Sequence, residues 1–384
     1  MKNDRITVAL LWSKYDGGVT SVNDLVLGLD KECFDIIFIY LSNHNAENNL
    51  IEEAGYKVFY LSNIELLKAF RFSILSKLAR ILKRHNVDII HCHAHKPTVY
   101  GTIAAMFAGT PVVMAHVHGT DRTAKLRRKL TNFVLFRKIN RLLPVAQAVK
   151  EDVLKSNWSI HPEKLSVLEN SIDYKHFADV SITQKDAKEM LGLPLDAFVF
   201  GTVARLVPNK GQIYLIKAFK KVRQVLPSAH VILVGNGRLR NELENEVKKT
   251  GLSDSFHFLG LRDDIFQIYK AMDVFVLPSL AEGMPRVLLE AMAAGIPCIG
   301  SNVGGIPEVL CDREFGYVIE PRDPTALSEA MLRIAQKPLE ERKVLTEKAS
   351  DRVRQCYSHD TARAKLIKLY ESEYVASKAE IQEV

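Results

Sequence analysis

Short apolar runs rich in β-branched and aromatic residues recur along the chain, each followed by a longer stretch with helical spacing. In the first half the strand-like runs fall at 6–11, 35–40, 57–61, 88–91, 111–115 and 141–145. In the second they fall at 198–203, 230–234, 256–259, 274–278, 298–300 and 317–319. Helical spacing appears between them, as at 22–29 and 74–83. Strands that are apolar almost throughout, alternating with helices, predict parallel sheets covered on both faces. The expected class is therefore α/β, with two doubly wound, Rossmann-like domains.

A polar, irregular stretch at 174–194 sets the expected boundary, giving domains at 1–176 and 177–361. The remaining segment, 362–384, carries Ala364, Ile367, Leu369, Tyr370 and Tyr374 at helical spacing with no strand after it. It is expected to be a helix packing back on the first domain. Ligands of open α/β sheets bind beyond the carboxyl ends of the strands, so the site is expected in a cleft between facing domains.

Composition narrows the class. A chain of 384 residues is long for one core and suits two. Hydrophobic residues make up 47% and charged residues 25%, as in an ordinary globular protein. No apolar run is long enough to span a bilayer. The opening MKNDRITVALLW runs straight into a strand without a small-residue cleavage site, so no signal peptide is expected. The five cysteines are odd in number and form no CxxC, which argues for a reducing, cytoplasmic setting and against a disulfide framework or zinc knuckle. The net charge of +7 is uneven: the first 180 residues hold 24 Lys+Arg and 18 Asp+Glu, the remainder 28 and 27. A basic first half is expected to meet something anionic.

The sharpest chemical signal is LPSLAEGMPRVLLEAMAAG, a strand, a Gly/Pro loop and a helix. Gly283 permits close backbone approach to a ligand. Pro285 suits the first helical position, and the N–H groups of Arg286, Val287 and Leu288 would then form an anion site at a helix N-terminus. Glu282 and Glu290 flank that site. One carboxylate is suited to sugar hydroxyls, the other to ribose hydroxyls. A second signal, VARLVPNKGQ, puts Arg205 and Lys210 on the loop after the strand 198–203. Two fixed cations there can hold a diphosphate and neutralise a phosphate leaving group without a metal. No Asp-x-Asp and no P-loop motif occurs in the chain. Gly17 and Gly18 after the first strand, and Gly235 and Gly237 after the strand 230–234, read as close-approach turns. His118, before Gly119 at a strand's carboxyl end, is expected to point into the cleft. His91, His93 and His95 would share one face of an extended segment. With no carboxylate or thiolate at ligand spacing, a metal there is not expected.

Together these residues resemble the retaining glycosyltransferases of GT-B fold, family 4. The pieces run in the family's order: Gly17-Gly18, DIIHCHAHKP, HVHGT, VLENSIDYKHF, Arg205 with Lys210, Glu282 through Glu290, and GGIPEVL. The resemblance implies that Arg205 and Lys210 hold the donor diphosphate. It implies that Glu282 binds the donor sugar with the backbone of Gly283, Met284 and Pro285, and that Glu290 binds the ribose. Gly18 and the catalytic candidate His118 would lie on the acceptor-domain side, near the phosphate and the sugar, and the segments around Gly235–Gly237 and Gly260–Arg262 would flank the base. It further implies transfer with retention, by front-face attack in which the leaving phosphate takes the acceptor proton, with no metal or other cofactor. One departure is Asn170-Ser171 where the family commonly has Asn-Gly, which puts a tight positive-φ turn there in doubt. An epimerase or phosphorylase of the same fold, and a non-catalytic nucleotide-sugar-binding protein, are the other classes weighed. The intact Arg205, Lys210, Glu282 and Glu290 favour a transferase. The base and sugar are not legible; a UDP-hexose or UDP-N-acetylhexosamine is the first expectation and GDP-mannose the second.

Two stretches contain no acid. One, from Leu66 to His85, carries Lys68, Arg71, Lys77, Arg80, Lys83 and Arg84; the other, from Arg122 to Leu143, carries eight basic residues. Both interleave Leu and Phe with the cations, the pattern of an interfacial helix on an anionic leaflet. No nucleic-acid-binding module is recognisable. The expectation is a cytoplasmic enzyme, peripheral on the inner face of the membrane. It would extend a glycan or lipid-linked glycan of a bacterial surface polysaccharide.

Overall fold

The computed structural model describes residues 5–15, 21–42, 49–63, 69–120 and 126–382. The chain divides into two compact units, residues 1–170 with 359–384, and residues 171–358. All twelve expected strands are present, within a few residues of their expected ends.

Unit 1 contains β1 (Ile6–Lys14), β2 (Phe34–Ser42), β3 (Lys57–Tyr60), β4 (Ile89–His93), β5 (Val112–Val117) and β6 (Arg141–Pro144). They form one parallel sheet in the order β3-β2-β1-β4-β5-β6. On β1, Val8 and Leu10 face one way and Ala9 and Leu11 the other, and all four are wholly buried. That is why the strands read as unbroken apolar runs: both faces are covered by helices. The C-terminal helix His359–Gln382 belongs to this unit. It buries Leu366 and Tyr370 in the first core. Burial of side chains this size stabilises by roughly 1.5–3 kcal/mol each. Arg141 Nε donates to Glu373 Oε1 at 2.7 Å and Lys365 Nζ to Glu169 at 2.9 Å, fixing the helix's register on the unit.

Unit 2 contains β7 (Phe198–Val203), β8 (Ala229–Val234), β9 (Phe256–Gly260), β10 (Val274–Leu277), β11 (Cys298–Ser301) and β12 (Tyr317–Ile319). Its parallel sheet runs β12-β11-β10-β7-β8-β9. Counted within each unit the strand order is the same, with reversals between β1 and β4 and between β7 and β10. Those two topological switch points, at the strands' carboxyl ends, are where such sheets bind ligands.

The stretch 174–194 is less irregular than its composition implies. It holds the helices Tyr174–Ala178 and Gln184–Met190, capped by Asp173 and Thr183, and lies inside unit 2. The units divide at Asn170/Ser171, and neither residue has a positive φ. All five cysteines are free. Among the described residues no helix is long and apolar enough to cross a membrane.

Candidate active site

Most of the residues expected to hold the donor lie on the loops at the switch point of unit 2. The chain leaves β7 at Ala204, turns through Pro208–Lys210, and enters the helix Gln212–Val225 at Gly211. Gly211 has φ 65°, and a β-carbon there would overlap the Pro278 carbonyl oxygen, so only glycine lets this loop lie against the end of β10. Leu280 N–H closes the contact by donating to Asn209 O at 2.8 Å. The result is that Lys210 Nζ reaches Glu282 Oε1 at 2.6 Å, with both side chains largely buried. Ser279 Oγ donates to the same carboxylate oxygen at 2.7 Å. The Arg205 side chain is exposed on the same loop, and its carbonyl accepts from Gln212 Nε2.

The helix after β10 runs Arg286–Ala293, so Pro285 is its N-cap and not its first residue. Leu288 N–H donates to Pro285 O at 3.2 Å, which removes it from the expected anion site. The loop ahead of it is pinned by Gly305 N–H on Gly283 O at 2.6 Å, and Met284 is buried. The Tyr269 hydroxyl donates to Glu290 Oε2 at 3.0 Å, with Val287 O as a second acceptor within reach at 3.1 Å. Burial raises the Glu290 carboxyl above its ordinary pKa; Arg286 and the Tyr269 hydroxyl oppose that rise. Gly235, at φ 125°, lies so close to Ala204 O that a side chain would collide, and its N–H donates to Gly260 O at 2.7 Å. Gly237 packs against Leu206 O. Arg262 makes a two-pronged pair with Asp264 at 2.5 and 2.7 Å.

His118 lies in unit 1, just past β5. The expected row of His91, His93 and His95 is not formed. β4 ends at His93, Ala94 takes φ 72°, and His95 begins the helix His95–Ala108. The row is completed instead from β5: His91 and His93 meet His116 and His118, with His91–His93 and His116–His118 ring centroids 4.3 and 4.5 Å apart. Trp12 stacks on His93 at 3.8 Å with 4° between planes. Tyr370 Oη bonds His91 Nδ1 at 2.8 Å. Among the described residues, ring nitrogens of His91, His93 and His116 lie within 4.8 Å of one another. Burial first, then the neighbouring imidazoles, drives His93 and His116 well below their ordinary pKa, and His91 falls to about 3. All three are neutral at pH 7.

Gly17 and Gly18 lie outside the described residues. Sequence reasoning missed Ser279 and Tyr269, which position the two glutamates. Ser279 was visible beside Pro278; Tyr269 gave no signal.

Comparison with known proteins decides the family. The description "Glycosyl transferases group 1" matches residues 183–352, and "Glycosyltransferase Family 4" matches residues 15–176. An Escherichia coli UDP-Gal:alpha-D-GlcNAc-diphosphoundecaprenol alpha-1,3-galactosyltransferase is 36% identical over 322 residues, covering 77% of this chain and 82% of that protein. The chain belongs to glycosyltransferase family 4. The putative glycosyltransferase EpsF of Bacillus subtilis is 29% identical over 295 residues, covering 74% of this chain and 76% of its own length. Among solved structures, Anabaena Alr3699/HepE in complex with UDP superposes with TM-score 0.84 at 22% identity, over 96% of this chain and 100% of that one. The fold of this family 4 transferase is GT-B.

Proposed function

We propose that this glycosyltransferase moves a hexose or N-acetylhexosamine from a UDP-sugar to a glycan or lipid-linked glycan acceptor, with retention and without a metal. The observation that carries the donor reading is the Lys210–Glu282 pair at the switch point of unit 2, held by Ser279 and a glycine that nothing larger can replace. The cation and the carboxylate satisfy each other. A donor diphosphate competes for Lys210, with Arg205 beside it in sequence, and releases Glu282 to accept from sugar hydroxyls. Negative charge then develops on the leaving phosphate where two cations stand ready. Front-face attack lets that phosphate take the acceptor proton. Glu290, oriented by Tyr269, accepts from the ribose.

Two of the similar proteins support a uridine nucleotide and a lipid acceptor: the E. coli relative is named for UDP-Gal and a diphosphoundecaprenol, and HepE for its complex with UDP. The setting we infer is bacterial surface polysaccharide synthesis, such as lipopolysaccharide, on the cytoplasmic face of the membrane. The two basic stretches contribute unequally. In the helix Phe72–Arg84, Ile74, Leu75, Leu78 and Leu82 are buried in the core, and among the described large apolar residues of this stretch only Phe72 and the preceding Phe70 are exposed. The helix Leu126–Leu135 instead exposes Leu126, Leu130, Phe133 and Val134. An anionic leaflet would therefore meet mainly the second. Proton NMR of the product tests retention through the anomeric coupling; a β-linked product ends that part of the reading. Flotation with anionic and neutral liposomes tests the surface, with Leu130→Ala and Val134→Ala expected to weaken anionic binding. Equal failure on both liposome types at low salt would favour a soluble acceptor.

A further inference from the structure

Unit 1 holds a cavity of about 370 Å³. Ser13, His95, Lys96, Thr98, His118 and Arg128 line it. A second cavity of about 290 Å³ shares His95, Lys96 and Arg128 and is walled by Phe70, Tyr100 and Thr131. The shared residues therefore form the partition between two adjoining spaces, and two of the three are cations.

The backbone adds to the positive field. The helix His95–Ala108 starts at this partition with its positive dipole end toward the cavity that Ala94, His95 and Lys96 line. Its N-cap is Ala94, which offers no side-chain acceptor and is held at φ 72°, a conformation alanine rarely adopts. Backbone strain of this kind persists where a site needs the geometry. His95 stays neutral, its pKa lowered to about 4 by burial and by the Arg128 guanidinium, so it serves as an uncharged hydrogen-bonding group beside that cation.

Both sides of the partition mix polar and apolar groups. The larger cavity has Ser13 and the His116 and His118 rings, groups suited to a sugar, beside Val117, Phe136 and Leu142. The smaller has Thr131 and the stacked rings of Phe70 and Tyr100, centroids 4.7 Å apart. The helix that supplies Arg128 and Thr131 turns Leu126 and Leu130 outward, 72% and 63% exposed. Polar groups, two cations and exposed apolar side chains thus lie close together within a single unit.

We propose that His95, Lys96 and Arg128 form an acceptor diphosphate subsite. It grips the diphosphate of a polyprenyl-linked glycan, with the sugar in the larger cavity and the isoprenoid leaving past Phe70 and the helix Leu126–Leu135. This rests on the lipid-linked acceptor of the proposed function and names the residues that recognise it. The subsite also sets acceptor specificity, since a free glycan offers nothing to the two cations.

Binding of farnesyl diphosphate, inorganic diphosphate and farnesol to the full chain tests it, measured calorimetrically with UDP at saturation so that the donor cations are occupied. Farnesyl diphosphate is expected to bind wild type, and Lys96→Ala and Arg128→Ala each to weaken it at least about tenfold, the size of a lost charge-assisted bond. Lys96→Arg and Arg128→Lys should retain most of the affinity, which separates a lost charge from a misfolded unit. Inorganic diphosphate should bind more weakly than farnesyl diphosphate, and farnesol should be indifferent to all four substitutions. Failure of wild type to bind farnesyl diphosphate, or equal binding by the alanine variants, overturns the subsite. If this pattern appears but no UDP-sugar is turned over, the donor reading fails and the subsite stands. If transfer proceeds but its KM for a diphosphate-linked acceptor is unchanged in both alanine variants, the subsite fails and the transferase stands.

Discussion

The histidine cluster of unit 1 predicts acid sensitivity of a calculable size. His91, His93 and His116 are 0, 1 and 2% exposed, and all three are held neutral. Among the described residues, His91 Nε2 and both nitrogens of His93 have no hydrogen-bond partner, so nothing stabilises a proton on them. In the unfolded chain each imidazole takes up a proton near pH 6.5. The folded values are depressed, so as pH falls below 6.5 the unfolded state binds protons that the folded state refuses, and stability is lost. At pH 5 the cost for His91 is about 2 kcal/mol, and His93 and His116 add to it in the same direction, against a typical total of about 5–15. For His91 the loss continues down to its folded value of about 3. Trp12, stacked on His93, is a fluorescent reporter inside the cluster once Trp158, 81% exposed, is replaced by Phe. Urea unfolding followed by Trp12 should shift to much lower denaturant between pH 7.5 and pH 5. His93→Phe should remove part of that shift. A Trp12 transition at the same urea concentration at both pH values would refute the reasoning, because it would mean the imidazoles are protonated equally in the folded and unfolded states.

The donor site makes three further predictions. Lys210→Ala and Glu282→Ala should each lower kcat by at least about a hundredfold, since each removes charge or orientation needed in the transition state; full turnover in folded, purified variants would contradict the assignment. Gly211→Ala should destabilise unit 2 by about 1–2 kcal/mol for the left-handed φ alone, with the collision at Pro278 adding to it. Differential scanning calorimetry reads this as a lowered transition for unit 2, and an unchanged melting profile would show that the loop does not hold this left-handed turn in solution. Turnover should survive EDTA; a loss restored by Mg²⁺ or Mn²⁺ would show that the two cations do not suffice.

The strands were legible because burial on both faces leaves an unbroken apolar signature, and all twelve lie where the pattern puts them. The stretch 174–194 was misread because two short, polar-faced helices have too few turns to show a period. The histidines at 91, 93 and 95 were misread at one residue: Ala94 leaves the extended region, which no side-chain pattern announces. Their true companions come from β5 through the pairing His93↔His116, a long-range register. The Lys210–Glu282 contact spans 72 positions, so the sequence shows two promising loops but not that they touch. The basic stretches were ambiguous for a different reason. Core-facing and membrane-facing leucines produce the same helical spacing, and only burial separates the helix Phe72–Arg84 from the helix Leu126–Leu135.

The central claim is that this chain is a transferase using a UDP-sugar and a lipid-linked glycan. Nucleoside diphosphate release should therefore be followed with UDP-galactose, UDP-glucose, UDP-N-acetylglucosamine and GDP-mannose, each with and without an N-acetylglucosaminyl diphosphate polyprenol. The account predicts release from a UDP-sugar that rises sharply when the acceptor is added, with a lengthened glycolipid as product. Release from GDP-mannose alone, or UDP release that the acceptor leaves unchanged, would contradict it.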